Sequence, residues 1–257
     1  MSASASKFQY STSDTTNPND HDQQKWQITF SHAHIFNEDL KIAWGASAFL
    51  NHFVFISKKF SSNNNWERNF QLTPEIIYTQ GNRFYFRQRF TVRAKYQTYD
   101  FDEPETSNRN IVNRQFIINT FSVYRFSPKS RFEISANYEL AEQGRFFYDL
   151  WRQTLALSWR NSEVQLFYKH KIGSQIYLST GGSFFRQIRW EHKIKSDGKT
   201  EKIIKDKHTN YGPSIELSYR PNNSLEINFL GNIHFANSSR KKTDTINIFD
   251  INLNWFF

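Results

Sequence analysis

RFYFRQRFTVRAKYQTY, residues 83–99, alternates between apolar and basic side chains almost without interruption. Side chains two positions apart in a strand share a face, so the apolar residues fall on one face and the basic residues on the other. The basic residues are Arg83, Arg87, Arg89, Arg93 and Lys95. Globular strands usually have about 5 or 6 residues, whereas a tilted strand that crosses a bilayer needs about 9 to 11. The length of this stretch therefore predicts a strand that spans a membrane.

The composition of the whole chain favours the same architecture. The 257 residues include 26 Phe, 12 Tyr and 7 Trp but only 9 Gly, and their formal net charge is +9. The core of a soluble domain is usually dominated by Leu, Ile and Val rather than by dispersed aromatic residues. A membrane barrel needs this mixture, because one face of each strand meets lipid and the other meets a wet lumen. No run of about 18 apolar residues is present, so a membrane-spanning chain of this sequence has to be a barrel.

Residues 1–24 differ from the rest of the chain. They are rich in Ser, Thr, Asn and Asp, which is typical of a flexible tail, and they lack the basic and apolar segments of a secretory signal. We therefore expect a tail over residues 1–24 and a transmembrane barrel over residues 25–257. We expect Met1 to open a mature form or a fragment of a longer precursor. The absence of Cys excludes disulfides and thiolate metal sites.

The connectors between the predicted strands alternate in length. The long ones cover residues 57–67, 100–112, 142–149, 195–208 and 237–245, and the tight ones lie at 81–82, 127–130, 161–162 and 221–224. Outer-membrane barrels have short periplasmic turns and long outer loops, so this alternation places the C-terminus on the short-turn, periplasmic side.

Parity of the connectors leaves one or three strands in each of two regions, residues 26–60 and 163–194. We favour three in each region, with tight turns near residues 37–39, 51–52, 173–174 and 181–182. The sequence thus predicts an all-β fold, an antiparallel up-and-down transmembrane β-barrel of about 12–14 strands, with about 14 favoured.

The last strand, residues 247–257, places apolar side chains on one face and Asp and Asn on the other. Its apolar row consists of Phe249, Ile251, Leu253, Trp255 and Phe257. An alternating strand that ends the chain at an aromatic residue resembles the assembly signal of Gram-negative outer-membrane β-barrel proteins. The resemblance covers residues 25–257 as an architecture and only the last strand as a motif. It implies a location in the bacterial outer membrane, contact with its lipid, and recognition by the barrel assembly machinery.

If the apolar faces meet lipid, the basic faces line the lumen. The predicted pore-lining residues are Arg83, Arg87, Arg89, Arg93, Lys95, Arg125 and Arg152. The same alternation also predicts inner-face positions for Arg131, Arg160, Lys169, Lys171, Arg189 and Arg220. Uncompensated arginines would attract anions into a pore. Arginines paired with glutamates on neighbouring strands would instead hold those strands together, which we call the stapling interpretation, and such pairs could close the lumen. Both interpretations remain open, and both can hold in different layers.

The sequence therefore predicts a porin-like channel for passive transport of small, preferentially anionic solutes. The alternative is a closed barrel that serves as a membrane anchor or docking subunit for another domain or protein. Such a partner could bind at the outer loops or at the N-terminal tail.

The sequence contains no specific motif for an enzyme, a metal site or a nucleic-acid-binding protein. His32 and His34 share a strand face, as metal ligands can, but no third ligand follows at a telling spacing. His170, His192 and His234 could each serve a catalytic serine, but no surrounding motif supports this. Basic and aromatic residues lie on opposite strand faces, which does not suit the stacking of nucleic-acid bases. We therefore expect no enzyme activity, no metal or other cofactor, and no nucleic-acid partner.

Overall fold

The computed structural model describes residues 1–10, 20–56, 58–101, 109–147, 152–195, 200–222, 225–239 and 241–255. The described residues form twelve strands and one short 3-10 helix, Lys58–Asn63. The strands are β1 (Ser2–Tyr10), β2 (His21–Ile35), β3 (Leu40–Phe55), β4 (Asn65–Gln80), β5 (Phe84–Tyr99), β6 (Ile111–Ser127), β7 (Ser130–Phe147), β8 (Arg152–Ile172), β9 (Ile176–Ile194), β10 (Thr200–Asn222), β11 (Leu225–Ser238) and β12 (Lys241–Trp255). Within these ranges, no helix is long and apolar enough to cross a membrane.

Each strand pairs antiparallel with the next strand of the chain, so the sheet order runs from β1 to β12. Strands β2 to β12 have 14 to 23 residues, and β5 covers the membrane-length strand predicted from the alternating stretch. The predicted all-β, antiparallel up-and-down fold is therefore confirmed. Trp255 pairs with Leu225, the first residue of β11, which places this end of β12 on the short-turn side, as the connector parity predicted.

The described residues form twelve strands, the lower end of the predicted range. Three expected turns are absent, which removes three of the roughly 14 favoured strands, and β1 adds one strand that was not predicted. Residues 51–52, 161–162 and 181–182 lie inside β3, β8 and β9. Gly181 serves a close approach between strands and not a turn, since a Cβ atom there would overlap the backbone carbonyl oxygen of Leu166 on β8. Small and polar residues inside a long strand therefore resembled turn residues in the sequence.

The predicted turns near residues 37–39 and 173–174 are present, and one residue in each accounts for the turn. The Asn37 side chain accepts hydrogen bonds from the backbone N–H groups of Asp39 and Leu40, at 2.9 and 2.7 Å. Gly173 has a φ of 69°, which favours glycine. Several predicted long connectors are shorter than expected, because β7, β10, β11 and β12 extend into them.

Residues 2–10 form a strand, which differs from the flexible tail predicted over residues 1–24. The backbone of β1 pairs with β2 along its whole length, and Lys7 Nζ lies 3.8 Å from Asp22 Oδ2. Main-chain hydrogen bonds do not depend on apolar side chains, so a polar segment can join the edge of a sheet. Residues 11–19 lie outside the described residues.

The register sorts the side chains into an outer, apolar face and an inner, polar face. On β4 and β5, Leu72 lies opposite Val92 on the outer face, and Glu75 lies opposite Arg89 on the inner face. The large outer side chains next to the short turns form an apolar belt that includes Phe70, Leu72, Val92, Phe132, Ile134, Val164, Leu166, Phe184, Tyr211, Ile215 and Leu217, all exposed. Farther from the short turns, β8, β9 and β10 carry charged side chains on both faces, mixed with apolar ones such as Ile204, and they extend beyond the belt on the long-loop side.

β1 and β12 are the edges of the described sheet, because no pairing between them occurs among the residues described. Phe249 and Trp255 on the outer face of β12 are 80% and 60% exposed, against 44% for Leu72 on an interior strand. The difference follows from the missing neighbour, since interior strands are covered on both sides. Four of the five apolar residues of the predicted assembly signal share the outer face of β12: Phe249, Ile251, Leu253 and Trp255. The fifth, Phe257, lies outside the described residues.

Candidate functional site on the inner face

The inner face carries a row of cations on β5. Arg87, Arg89, Arg93 and Lys95 occupy alternate positions there, as the sequence predicts. The other predicted pore-lining residues lie apart from this row. Arg83 is in the turn before β5, Arg125 is near the short-turn end of β6, and Arg152 begins β8 at the long-loop end. Their role in lining a pore stays a prediction.

Two of the four cations in this row have carboxylate partners. Arg89 donates to Glu75 of β4 with an Nη2 to Oε2 distance of 2.6 Å. Lys95 Nζ lies 3.4 Å from Oε1 of Glu67, also on β4. Ion pairs across neighbouring strands hold those strands in register. The stapling interpretation therefore describes the contacts of Arg89 and Lys95.

The other two cations have neutral partners, and neither has a carboxylate within 4.0 Å in the part of the chain that is described. Arg93 Nε donates to the side-chain oxygen of Gln71 at 2.9 Å, and its Nη1 donates to Gln115 at 3.5 Å. The Arg87 guanidinium lies 6.0 Å from the centre of the Phe121 ring. Amide and aromatic partners orient a guanidinium without cancelling its charge. Arg87 and Arg93 therefore leave positive charge uncompensated on the inner face.

A continuous row of polar contacts crosses six strands of the inner face. This polar row consists of Gln71, Arg93, Gln115, Glu139, Asn161 and Gln187, with neighbouring polar atoms 2.7 to 3.5 Å apart. Glu139 of β7 has the most partners. It accepts hydrogen bonds from Gln115 at 3.3 Å, from Asn161 at 2.7 Å, and from the indole N–H of Trp159 at 3.2 Å. A connected set of satisfied polar groups holds its side chains in one arrangement.

We expect Glu139→Ala to lower the free energy of unfolding by about 1–3 kcal/mol, because the N–H groups of Trp159 and Asn161 lose their acceptor. Glu163→Ala is the matched control, since Glu163 lies on the same face and accepts one hydrogen bond, from Gln165. The control should cost less than about 1 kcal/mol. Urea unfolding in lipid vesicles, followed by tryptophan fluorescence, measures both. Equal losses would contradict a central role for Glu139.

A second concentration of positive charge lies at the short-turn end of the inner face. Arg125 of β6 lies directly opposite Arg131 of β7, and Arg131 lies directly opposite Lys169 of β8. Glu133 compensates part of this charge, at 2.7 Å from Arg131 Nε and 2.9 Å from Lys169 Nζ. Like charges directly opposite each other destabilise a sheet. This arrangement therefore points to a role other than stability.

We call Arg125, Lys129, Arg131, Lys169 and Lys171 the basic cluster. It borders a hollow of about 140 Å³ that is also lined by Tyr177, whose ring centre lies 5.3 Å from Lys171 Nζ. Arg and Lys side chains around one hollow suit an anionic ligand. The alternation in the sequence predicts inner-face positions for Arg125, Arg131, Lys169 and Lys171, but not that they lie together. The tight turn at residues 127–130 could have predicted part of the cluster, since a tight turn sets which residues of β6 and β7 lie opposite each other.

His32 and His34 are the pair that the sequence offers as metal ligands. His32 and His34 lie on the outer face of β2, where their rings contact Trp44 and Phe36 with centroid distances of 6.1 and 4.5 Å. Over the ranges that the structure describes, no group of three or more His, Cys, Asp or Glu could hold a metal ion.

Two serine–histidine contacts bear on the enzyme question. Ser130 Oγ lies 2.7 Å from His170 Nδ1, and Ser158 Oγ lies 2.8 Å from His192 Nε2. A catalytic serine also needs a group that orients the histidine through its second nitrogen. Neither ring makes such a contact with a described residue. The absence of enzyme activity stays a prediction.

No protein-family model and no curated protein matches the sequence. Solved structures match it in fold. The siderophore receptor PirA from Acinetobacter baumannii has a TM-score of 0.62 at 10% identity, over 92% of this chain and 39% of the receptor. The outer membrane transporter YddB from Escherichia coli has a TM-score of 0.61 at 8% identity, over 89% of this chain and 36% of the transporter. The copper transporter OprC has a TM-score of 0.56 at 8% identity, over 91% of this chain and 49% of that protein.

The chain therefore spans less than half the length of the transporters it matches. Its fold is that of outer-membrane β-barrel proteins, as the alternating strands and the terminal motif predicted. This fold supports the predicted location in the bacterial outer membrane. Identities of 8 to 10% show the fold alone, so the names of these proteins say nothing about what this chain binds or transports.

Proposed function

We propose that the inner face forms the wall of a passive, porin-like channel that favours small anionic solutes. The proposal rests on Arg87 and Arg93, two cations without carboxylate partners among the described residues, on the inner face of a membrane-length strand. The basic cluster adds positive charge at the short-turn end, which is the periplasmic end in barrels with this loop asymmetry.

The physical mechanism is electrostatic. Positive side chains on the wall of a passage with low-dielectric surroundings raise the local concentration of anions and repel cations. Arg93 is held by the amide oxygens of Gln71 and Gln115, so it presents its charge in a defined place. The amides of the polar row are neutral, which suits passive conduction, because conduction requires release of the solute as well as its entry.

The alternative function is a closed barrel that anchors or docks another domain or protein. The ion pairs of Arg89 with Glu75 and of Lys95 with Glu67 favour this alternative, because they join β4 to β5 across the inner face. In an anchor, such pairs serve stability, and no solute has to pass.

Replacing Arg87 and Arg93 together by Gln tests the channel. Gln keeps a polar, hydrogen-bonding side chain while two charges are removed, so the fold should survive. In planar bilayers under a KCl gradient, the preference for chloride over potassium should fall by up to about tenfold at low salt. The change should shrink at about 1 M salt, where the screening length is about 3 Å.

The matched control is Arg114→Gln with Arg186→Gln, which removes two arginines from the outer face of β6 and β9. Ion selectivity should stay at the parent value. Unchanged selectivity in a conducting variant of Arg87 and Arg93 would contradict the electrostatic role. A parent protein without conductance, together with loss of folding in that variant, would favour the anchor.

A further inference from the structure

Four cations lie on the outer face of β8, β9 and β10, on the long-loop side of the apolar belt. Arg160 of β8 and Lys207 of β10 both lie directly opposite Ile188 of β9. The predicted inner-face position of Arg160 is wrong, because a register shift between Leu155 and Leu157 reverses the faces of the residues that follow in β8. Arg186 is on the same face of β9, two residues nearer to the short turns, and Lys202 follows on β10 toward the long loops. We call Arg160, Arg186, Lys202 and Lys207 the outer basic patch.

On the outer face of β8, β9 and β10, no described carboxylate lies between the cations of the outer basic patch. The described acidic residues of these three strands all lie on the inner face: Glu163, Glu191, Glu201, Asp206 and Glu216. On neighbouring β7, Glu142 lies on the outer face, opposite Arg114 of β6 and Ser158 of β8. Surfaces stabilised by ion pairs intersperse the two signs of charge. The outer basic patch instead concentrates one sign, which favours an external anion.

Trp190 of β9 orients two of these cations. Its ring centre lies 5.7 Å from Arg160 Cζ and 4.2 Å from Lys202 Nζ. Cation–π contacts hold a cation without neutralising it. Ile188 lies directly opposite Arg160 and is only 7% exposed. Trp also favours the boundary between hydrocarbon and water, which matches the position of the patch along the strands.

The depth of the patch follows from the strand register. Phe184 of β9 and Tyr211 of β10 lie directly opposite each other and belong to the apolar belt. Arg186 is two residues from Phe184 along β9, which corresponds to a rise of about 7 Å. With the belt in the hydrocarbon, the patch therefore reaches the headgroup layer on the long-loop side, which is the outer side by loop asymmetry.

We propose that the outer basic patch binds the phosphate of a lipid headgroup in the outer leaflet. Arg160 and Arg186 supply planar guanidinium groups that can bind phosphate oxygens in pairs, and Lys202 and Lys207 add compact charges. Lys and Arg at the membrane surface attract anionic headgroups. The apolar belt directly below receives the acyl chains, which a free phosphate ion lacks. The site is independent of any channel, because it lies on the opposite face of the sheet.

Native mass spectrometry of the detergent-solubilised full chain tests this proposal. The probes are dioleoylphosphatidic acid and dioleoylglycerol, which differ in the phosphate group alone. The parent protein should bind phosphatidic acid about tenfold or more tightly than dioleoylglycerol. Replacing the four cations together, as R160Q, R186Q, K202Q and K207Q, should remove that preference.

A matched control removes two Arg and two Lys from the inner face, as K25Q, K41Q, R145Q and R189Q, and should leave lipid binding unchanged. If the fourfold outer variant does not fold, the pair R186Q and K207Q leaves both Trp190 contacts in place and should weaken phosphatidic acid binding about fivefold.

Three results would overturn the proposal. The first is equal affinity of the parent protein for the two lipids. The second is unchanged phosphatidic acid binding in the folded outer variants, or an equal loss in the inner-face control. The third is displacement by inorganic phosphate at the concentration at which phosphatidic acid binds, which would assign the patch to a free anion.

Discussion

Ile134→Arg should destabilise the folded protein in lipid by about 2–4 kcal/mol, the cost of a charged side chain on the lipid face near the middle of a bilayer. Ile134 is 43% exposed on the outer face of β7, directly opposite Leu166 of β8 in the apolar belt. Lipid chains surround the new guanidinium there, so water cannot solvate it. The urea midpoint in phosphatidylcholine vesicles measures the loss.

Ser135→Arg is the control for this experiment, because Ser135 is the next residue and faces the inner side of the sheet, opposite Gln165. Its cost should stay below about 1 kcal/mol, since the inner face is polar. A reversed order, with Ser135→Arg the more destabilising change, would contradict the assignment of the two faces and with it the membrane orientation of the sheet.

Deletion of residues 255–257 should cause a large loss of protein inserted in the outer membrane of cells, with little change in the pairing of the preceding strands. Trp255 lies at an edge of the described sheet and is 60% exposed, so its removal costs few packing contacts. The expected loss comes instead from the terminal aromatic motif that resembles an assembly signal. Membrane fractionation and the heat-dependent mobility of the folded protein in gels measure insertion.

Deletion of residues 2–4 provides the control at the opposite edge of the sheet. These residues lie at the end of β1 that is nearer to the short turns, and they also pair with one neighbour only. Insertion should remain close to that of the parent protein. Equal losses for the two deletions would mean that edge packing, and not the terminal motif, controls insertion.

Much of the fold is readable from local patterns. The alternation in residues 83–99 predicts β5 and the face of each of its side chains, because a period of two is a property of the extended backbone itself. The turn at Asn37 is readable for a similar reason, since its side chain bonds to the backbone two and three residues ahead. Errors arose where one local pattern suits two structures, as at Gly181, where a glycine serves strand approach.

The sequence by itself therefore determined that β5 is a membrane-length strand, which of its faces is apolar and which basic, and the side of the sheet on which β12 ends, because each depends on patterns along the chain. Only the tertiary structure decided which cations are compensated. Arg89 meets Glu75 while Arg93 meets Gln71, and nothing local to β5 distinguishes the two arginines. Strand register brings together residues that are far apart in the chain, and it alone placed Arg160 and Lys207 on either side of Ile188.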